Sequence, residues 1–331
     1  MSVSAGAPPR EGPAATSAGR RVAGLLSGRQ GVYLLLLAIC VAGVIVSPGF
    51  LTLNNVITVM RSISIVGVVA VGMTFVTIAG SFVDLSVTSI VSTAGVVVLA
   101  AHGLGLPVAI ALAVAAGAAV GVFNGALVNW FGANPVLLTL ATQTIVAGAI
   151  LAATDAHYVY GKDQALADFG SARLGPVPST VLVFLLVALL AELLRRRTTW
   201  GRRLHAAGAN SRTALLSGLR PGRVRAQAFL LSGLFAALAG VLLSSSLNAA
   251  SPTAGVGYDF SAITAVVIGG ASLAGGRGSI AGTVAGALLI GILNNLLVLN
   301  GAPFALQQVV TGLILALTVG VDVMTRREGH A

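Results

Sequence analysis

After residue 30 the chain is a succession of ten mostly apolar runs, and that alone leaves little choice of architecture. They cover residues 31–47, 62–79, 86–101, 107–128, 136–153, 178–194, 226–246, 261–274, 280–299 and 304–322; the eighth is short, and the boundary from Gly80 to Leu85 is soft. A helix needs about 20 largely apolar residues, with about 17 tolerated, to cross the hydrocarbon core of a bilayer. Backbone polar groups in lipid must be satisfied within the chain, so such runs become helices rather than open sheets. Only 8% of the 331 residues are charged and 56% are hydrophobic, whereas a soluble domain carries about one quarter charged residues. The expected fold is an all-α polytopic membrane protein with about ten transmembrane helices.

Charge placement orients it. Residues 1–30, rich in Ala, Gly, Ser, Pro and Arg and without a cleavable signal, are expected to form a disordered cytosolic tail before a transmembrane domain over 31–325. Ten spans then leave the N- and C-termini both cytosolic. On that side lie Arg10, Arg20, Arg21 and Arg29, nine arginines from Arg195 to Arg225, Arg277, Arg326 and Arg327; only Arg61, Lys162 and Arg173 fall outside. Sixteen against three is the asymmetry of the positive-inside rule, which played no part in drawing the spans. The net charge of +10 thus reflects topology and calls for no nucleic acid. Two connections are long: 154–177 is polar and expected outside, and 195–225 is basic and expected inside.

The segment "GVFNGALVNW" from Gly121 matches "GILNNLLVLN" from Gly291 at Gly, Asn, Leu and Val in register. The first lies in the fourth span and the second in the ninth, so an odd five spans per half would run the copies in opposite directions, as an inverted five-helix repeat. Small residues every four positions, Gly117, Gly121 and Gly125, then Ser232, Ala236, Gly240 and Ser244, then Gly282 and Gly286, line single helix faces and read as close packing.

No catalytic centre, metal site or cofactor site emerges. Cys40 is the only cysteine, so neither a disulfide nor a paired-cysteine metal site can be built. "GGASLAGGRGSIAG" lacks the Gly-Lys-Ser/Thr that a phosphate-binding loop requires, and Gly269 to Gly282 reads as a tight cytosolic turn anchored by Arg277. The histidines His102, His157, His205 and His330 are expected in loops or the tail, and no nucleophile or ligand spacing joins them. Glu192 and Asp322 are expected at cytosolic helix ends and Asp259 beside an outer loop, which leaves Asp84 as the one candidate carboxylate between apolar runs. In "WGRRLHAAGANSRTALLSGLRPGRVRAQ", Asn210 or Ser211 is a fitting N-cap, "RTALLS" a short helix and Gly218 its stop, with Pro221 barring continuation. That element reads either as a loop held against anionic membrane lipids by arginine or as a docking element for a cytosolic partner.

These stretches resemble a known family, the membrane permeases of bacterial sugar-importing ABC transporters of the ribose type. "VGMTFVTIAGSFVDLSVTS" is similar to its signature around an Asp-Leu-Ser-Val core, "GRRLHAAGANSRTALLSGL" to its cytosolic loop, and the segment from Leu231 to Asn295 to its C-terminal half. The resemblance implies a multi-pass subunit of the bacterial cytoplasmic (inner) membrane, paired with a second copy as a homodimer. It also implies separate ATP-binding cassette subunits beneath it and an extracytoplasmic binding protein that delivers a monosaccharide. ATP hydrolysis then belongs to another polypeptide, so this chain is a transport subunit and no enzyme. On this resemblance the loop residues Gly201, Gly208, Asn210, Ala214, Ser217 and Gly218 couple the permease to the ATPase. Phe82 and Thr88 depart from the family pattern, being bulkier than the small residues expected beside its core. The alternative is a stand-alone secondary carrier or facilitator for a small polar solute.

Along the pathway the candidates are Asp84, Ser86, Asn124, Asn294 and Asn295. The three asparagines either line a polar route or hydrogen-bond between helices. Asp84 could bind sugar, relay protons or cap a broken helix; the relay lacks further titratable groups, and the cap uses more of the local sequence. As a cap, Asp84 should accept from the amides of Ser86 and Val87 beside a break at Gly80 and Ser81.

Overall fold

A computed structural model describes residues 29–162 and 164–328. The expected N-terminal tail lies outside the described residues except for Arg29 and Gln30, which open the first helix. Thirteen helices form among the described residues: α1 (Arg29–Val46), α2 (Leu53–Ile78), α3 (Val87–Ala100), α4 (Leu106–Phe131), α5 (Pro135–Ala153), α6 (Gln164–Ser171), α7 (Ser179–Arg197), α8 (Thr199–Ala209), α9 (Ser211–Leu216), α10 (Pro221–Leu247), α11 (Tyr258–Ile268), α12 (Ile280–Leu299) and α13 (Phe304–Glu328). Each apolar run of the sequence coincides with one helix, and α6, α8 and α9 are additional. Five helices (α2, α4, α5, α10 and α12) are long and apolar enough to cross a membrane, and four shorter apolar stretches occupy α1, α3, α11 and α13. The chain is an all-helical, multi-pass membrane protein.

Local chemistry sets many of the boundaries. Asn134 Oδ1 accepts the amides of Val136 and Leu137 at 3.0 and 3.4 Å, with Pro135 as the first residue of α5, so both satisfy the free start of the helix. Ser279 Oγ does the same for α12, accepting the Gly282 amide at 3.1 Å. α10 opens at Pro221 and closes at Asn248, a left-handed residue with φ of 48°.

α10 is the hub, packed against α2, α3 and α4. The α4 contact depends on bare backbone: a Cβ at Gly121 would lie 2.4 Å from the Phe229 carbonyl oxygen, and one at Gly117 2.6 Å from that of Gly233. Lipid gives helices little hydrophobic reason to associate, so this close van der Waals approach is what holds the pair together. α11 and α12 meet in the same way, with Gly286 against the Ala265 carbonyl at 2.0 Å from a notional Cβ.

Several boundaries move from their expected places. The second helix begins at Leu53 rather than 62, and the eighth spans Tyr258–Ile268 rather than 261–274. α11 stops early because Gly270 takes a left-handed φ of 85°, with the Ala271 amide bonded to the Val266 carbonyl at 3.1 Å and the Gly270 amide to Val267 at 2.9 Å. This is the glycine-closed helix end that a hydropathy window does not see. Asp259 accordingly sits in the first turn of α11, 6% exposed, rather than beside a loop.

The connection 154–177 is also more ordered than a polar loop. Its α6 buries Leu166, its β1 (Val159–Tyr160) pairs antiparallel with β4 (Ala249–Ala250), and β2 (Arg173–Leu174) pairs with β3 (Val177–Pro178). The Gly161 amide donates to the Asn248 carbonyl at 2.9 Å, which fixes this cover to the C-terminal end of α10.

Candidate functional site

Between α2 and α3 the backbone breaks over Gly80 to Ser86. α2 ends with Gly80 at φ 77°, its amide bonded to the Thr77 carbonyl at 3.0 Å and the Ser81 amide to Val76 at 3.2 Å. Phe82 also takes a left-handed φ, 65°, and is held there by Thr77 Oγ1, which donates to its carbonyl at 3.0 Å. Asp84 follows, fully buried, and its Oδ1 accepts from the Ser86 amide at 3.0 Å and the Ser86 hydroxyl at 2.6 Å. The second expected donor, the Val87 amide, is not among its partners. Ser86 itself occupies the N-cap position of α3, so Asp84 stands two residues earlier and closes an Asx turn instead of capping the helix directly.

From Ser86 the bonding continues inward. Asn124 Nδ2 of α4 donates to Ser86 Oγ at 2.9 Å, and Thr142 Oγ1 of α5 donates to Asn124 Oδ1 at 2.7 Å. The Leu85 amide donates to Thr139 Oγ1, also on α5, at 3.1 Å. Three helices are thus tied to the break by one buried chain, with Asn124 at 0% exposure. One place in it is open: Asp84 Oδ2 has no hydrogen bond, and Ser232 Oγ of α10, also without one, approaches it.

The break lies at the end of the bundle that carries the basic connection. A Cβ at Gly208 of α8 would fall 1.8 Å from the Ile78 carbonyl oxygen and 2.6 Å from the Gly276 amide nitrogen, and one at Gly80 would fall 3.3 Å from Gly208 Cα. The Gly276 amide donates to Ile78 O at 2.9 Å, and Arg225 reaches both the Ala79 carbonyl, at 3.4 Å, and the Ser211 hydroxyl. His205, expected in a loop, lies within α8 and joins this cluster. Its Nδ1 is 2.9 Å from the Gly276 carbonyl oxygen and its Nε2 3.2 Å from Arg195 NH1. A carbonyl can only accept and a guanidinium can only donate, so the geometry places the proton on Nδ1. Arg195 in turn grips Glu192 through two bonds of 2.7 and 2.8 Å.

Within the basic connection, Asn210 Oδ1 accepts the amides of Arg212 and Thr213, both at 3.0 Å, and Gly218 takes φ 79° beyond the end of α9. Gly201 packs against the Arg195 carbonyl, which a Cβ would approach to 1.9 Å. Ser217 Oγ returns to the Thr213 carbonyl at 2.9 Å. Ala214 is 4% exposed and faces its own chain, whereas Leu215 and Leu216 are 62% and 82% exposed. These two leucines were not singled out from sequence, because which side of a six-residue helix faces outward is decided by distant packing.

Asn294 and Asn295 sit in a different setting. Asn295 and Asn55 exchange amide bonds of 2.7 and 3.0 Å between α12 and α2. Asn294 Oδ1 has one long bond, 3.5 Å from Thr311 Oγ1 of α13, and both asparagines line a half-open cavity of about 230 Å³ between α2, α11, α12 and α13. Among the described residues no group of three or more His, Cys, Asp or Glu side chains could hold a metal ion.

Comparison with known proteins fits this arrangement. Residues 55–319 match the family model described as branched-chain amino acid transport system / permease component. The ribose import permease protein RbsC of Bacillus subtilis is 38% identical over 298 residues, 89% of this chain and 92% of its own. The D-allose transport system permease protein AlsC of Escherichia coli is 34% identical over 88% of this chain and 90% of its own. The L-arabinose ABC transporter permease protein AraH of Azospirillum brasilense is 34% identical over 92% and 91%. No solved structure matches the chain significantly. The match runs through the helix break, the basic connection and the cavity alike, and the chain belongs to the family of ABC-importer membrane permeases, among its ribose-type members.

Proposed function

We propose that the chain is the translocating subunit of an ATP-driven importer that carries a monosaccharide across the bacterial cytoplasmic membrane, working as a pair of identical copies. Its substrate arrives on an extracytoplasmic binding protein, and ATP-binding cassette subunits seat against the basic connection. Relatives named for ribose, allose and arabinose support a sugar over a branched-chain amino acid. The bundle crosses the membrane ten times with both termini and the 195–225 connection in the cytosol, a placement favoured by the arginine distribution.

The observation that carries this reading is the seat of Gly208 against Ile78 and Gly80. It joins the basic connection, by backbone contact, to the helix break that Asp84 closes. A force on α9 therefore reaches α2 and α3 with no flexible side chain in between. The exposed Leu215 and Leu216 supply an apolar face for an ATPase cleft, since adjoining exposed leucines in an otherwise basic loop mark a contact surface. The inverted repeat has support from the Asn124–Thr142 and Asn294–Thr311 bonds, which join corresponding helix pairs, α4 with α5 and α12 with α13.

Vesicles holding the permease, its ATPase and its binding protein test the reading. ATP-dependent sugar uptake that Leu216→Asp abolishes, with the permease still inserted and stable, is the expected result. Uptake by the permease alone under a proton gradient would replace it with the secondary-carrier alternative.

A further inference from the structure

The cavity beside Asn294 has a chemistry that the helix break does not share. Its polar lining includes Ser62 of α2, Ser261 of α11, Asn294 of α12, and Gln308 and Thr311 of α13, while Asn295 and Gln307 beside them are already bonded within the chain. Among the described residues the Gln308 amide and the Ser62 and Ser261 hydroxyls hydrogen-bond to nothing in the chain, so their capacity is open to a ligand. Gln308 is aimed by a missing side chain: Gly257, at φ 90°, would place a Cβ 2.5 Å from Gln308 Nε2, so the amide rests directly on bare backbone. Tyr258, Phe304 and Val298 complete the wall with apolar surface.

No lining residue is an Asp, Glu, Lys, Arg or His. An amino acid would have to give up the hydration of an ammonium and a carboxylate here with no opposite charge to replace it, which is costly. The α11 N-terminus borders the cavity and would favour a carboxylate, but Asp259 in its first turn offsets that partial positive charge. A neutral ligand with many hydroxyls meets none of these penalties. Its hydroxyls can donate to and accept from the amides and serines, while its C–H faces lie on the aromatic wall. The volume of about 230 Å³ is below the roughly 300–1,000 Å³ of drug-sized sites, a size that suits a small molecule in a half-open cleft. The cavity flanks α2 at Thr58 to Val66, about 18–30 Å along the helix from Ile78 and the basic connection.

We infer that this cavity is a monosaccharide-holding site on the translocation route, with Gln308, Ser62 and Asn294 as the residues that select hydroxyls over charge. The inference rests on the sugar-permease reading above. Cys40 is the only cysteine of the chain, so Cys40→Ser provides a cysteine-free permease in which Val59→Cys and Val256→Cys, at lining positions outside the hydroxyl-selecting set, each report on the cavity. Vesicles containing the complete importer are exposed to a small thiol reagent with D-ribose, D-allose, L-arabinose or L-leucine present, and the Cys40→Ser importer is assayed in parallel for ATP-driven uptake of each. Both cysteines should react, and an imported sugar should slow the reaction severalfold while leucine leaves it unchanged. If neither cysteine reacts, or no imported sugar slows either reaction, the site is wrong though the sugar-permease reading stands. Equal protection by leucine overturns the selectivity. Import of leucine without any sugar removes the underlying reading and this inference with it.

Discussion

Asn124 and Asn294 occupy matching positions of two similar ten-residue segments, each bonded to a threonine of the next long helix, and their surroundings differ. Around Asn124 the half is closed: α4 lies against α10 backbone to backbone, and the amide links Ser86 to Thr142 with no exposed surface. Around Asn294 the half is open: the bond to Thr311 stretches to 3.5 Å and a cavity takes the place of the packed neighbour. The glycine three residues earlier explains the contrast. A Cβ at Gly121 would meet the Phe229 backbone, whereas one at Gly291 would meet the Ile63 side chain, 2.2 Å from Cγ1. Backbone meeting backbone excludes a cavity, and a side chain at the contact leaves room beside it. The two matching segments thus lie in unlike settings, a closely packed, bonded one next to the basic connection and one beside a cavity at the far end of α2.

The largest effect expected from this difference is at those glycines. Gly121→Ala should cost about 1–3 kcal/mol or more, as an overpacked core does when backbone must move, and should sharply reduce the folded protein recovered from membranes. Gly291→Ala should cost less, because Ile63 can change rotamer. Thermal unfolding of the two variants in detergent measures both, and equal losses would break the comparison.

Next is the Asx turn. Asp84→Leu removes the acceptor for the Ser86 amide and hydroxyl and strands buried donors, at about 1–3 kcal/mol. Asp84→Asn keeps an acceptor oxygen and should retain most of both stability and transport. A fully assembled Asp84→Asn complex without transport would show that the charge itself is needed. The smallest effect belongs to Asn295→Ala, which breaks the exchange with Asn55; interhelical bonds in membranes average about 0.6 kcal/mol, and a shift of that order in unfolding is expected.

Much of this was legible in the sequence wherever local chemistry decides the outcome. Apolar runs located the long helices, and Asn210 and Gly218 marked both ends of α9 because a cap and a left-handed stop act within a few residues. Asp84 was legible as an acceptor for the Ser86 amide, but the Ser86 hydroxyl that takes the place of the expected Val87 amide was not, because that hydroxyl is oriented by Asn124 from another helix. The early end of α11 escaped because "GGASLAGG" stays apolar while its backbone turns. His205, Leu216 and the cavity were out of reach for one reason: each is defined by segments dozens of residues apart, brought together only by packing.

The central claim, that two asparagines at matching sequence positions do different jobs, is tested most directly by comparing Asn124→Ala with Asn294→Ala in the same importer, scoring unfolding temperature and ATP-dependent sugar uptake together. The account predicts that Asn124→Ala lowers the unfolding temperature, by the loss of about 1–3 kcal/mol from stranded buried partners. It predicts that Asn294→Ala leaves that temperature nearly unchanged and reduces uptake severalfold. Equal destabilisation by the two variants, or normal uptake by Asn294→Ala, would contradict it.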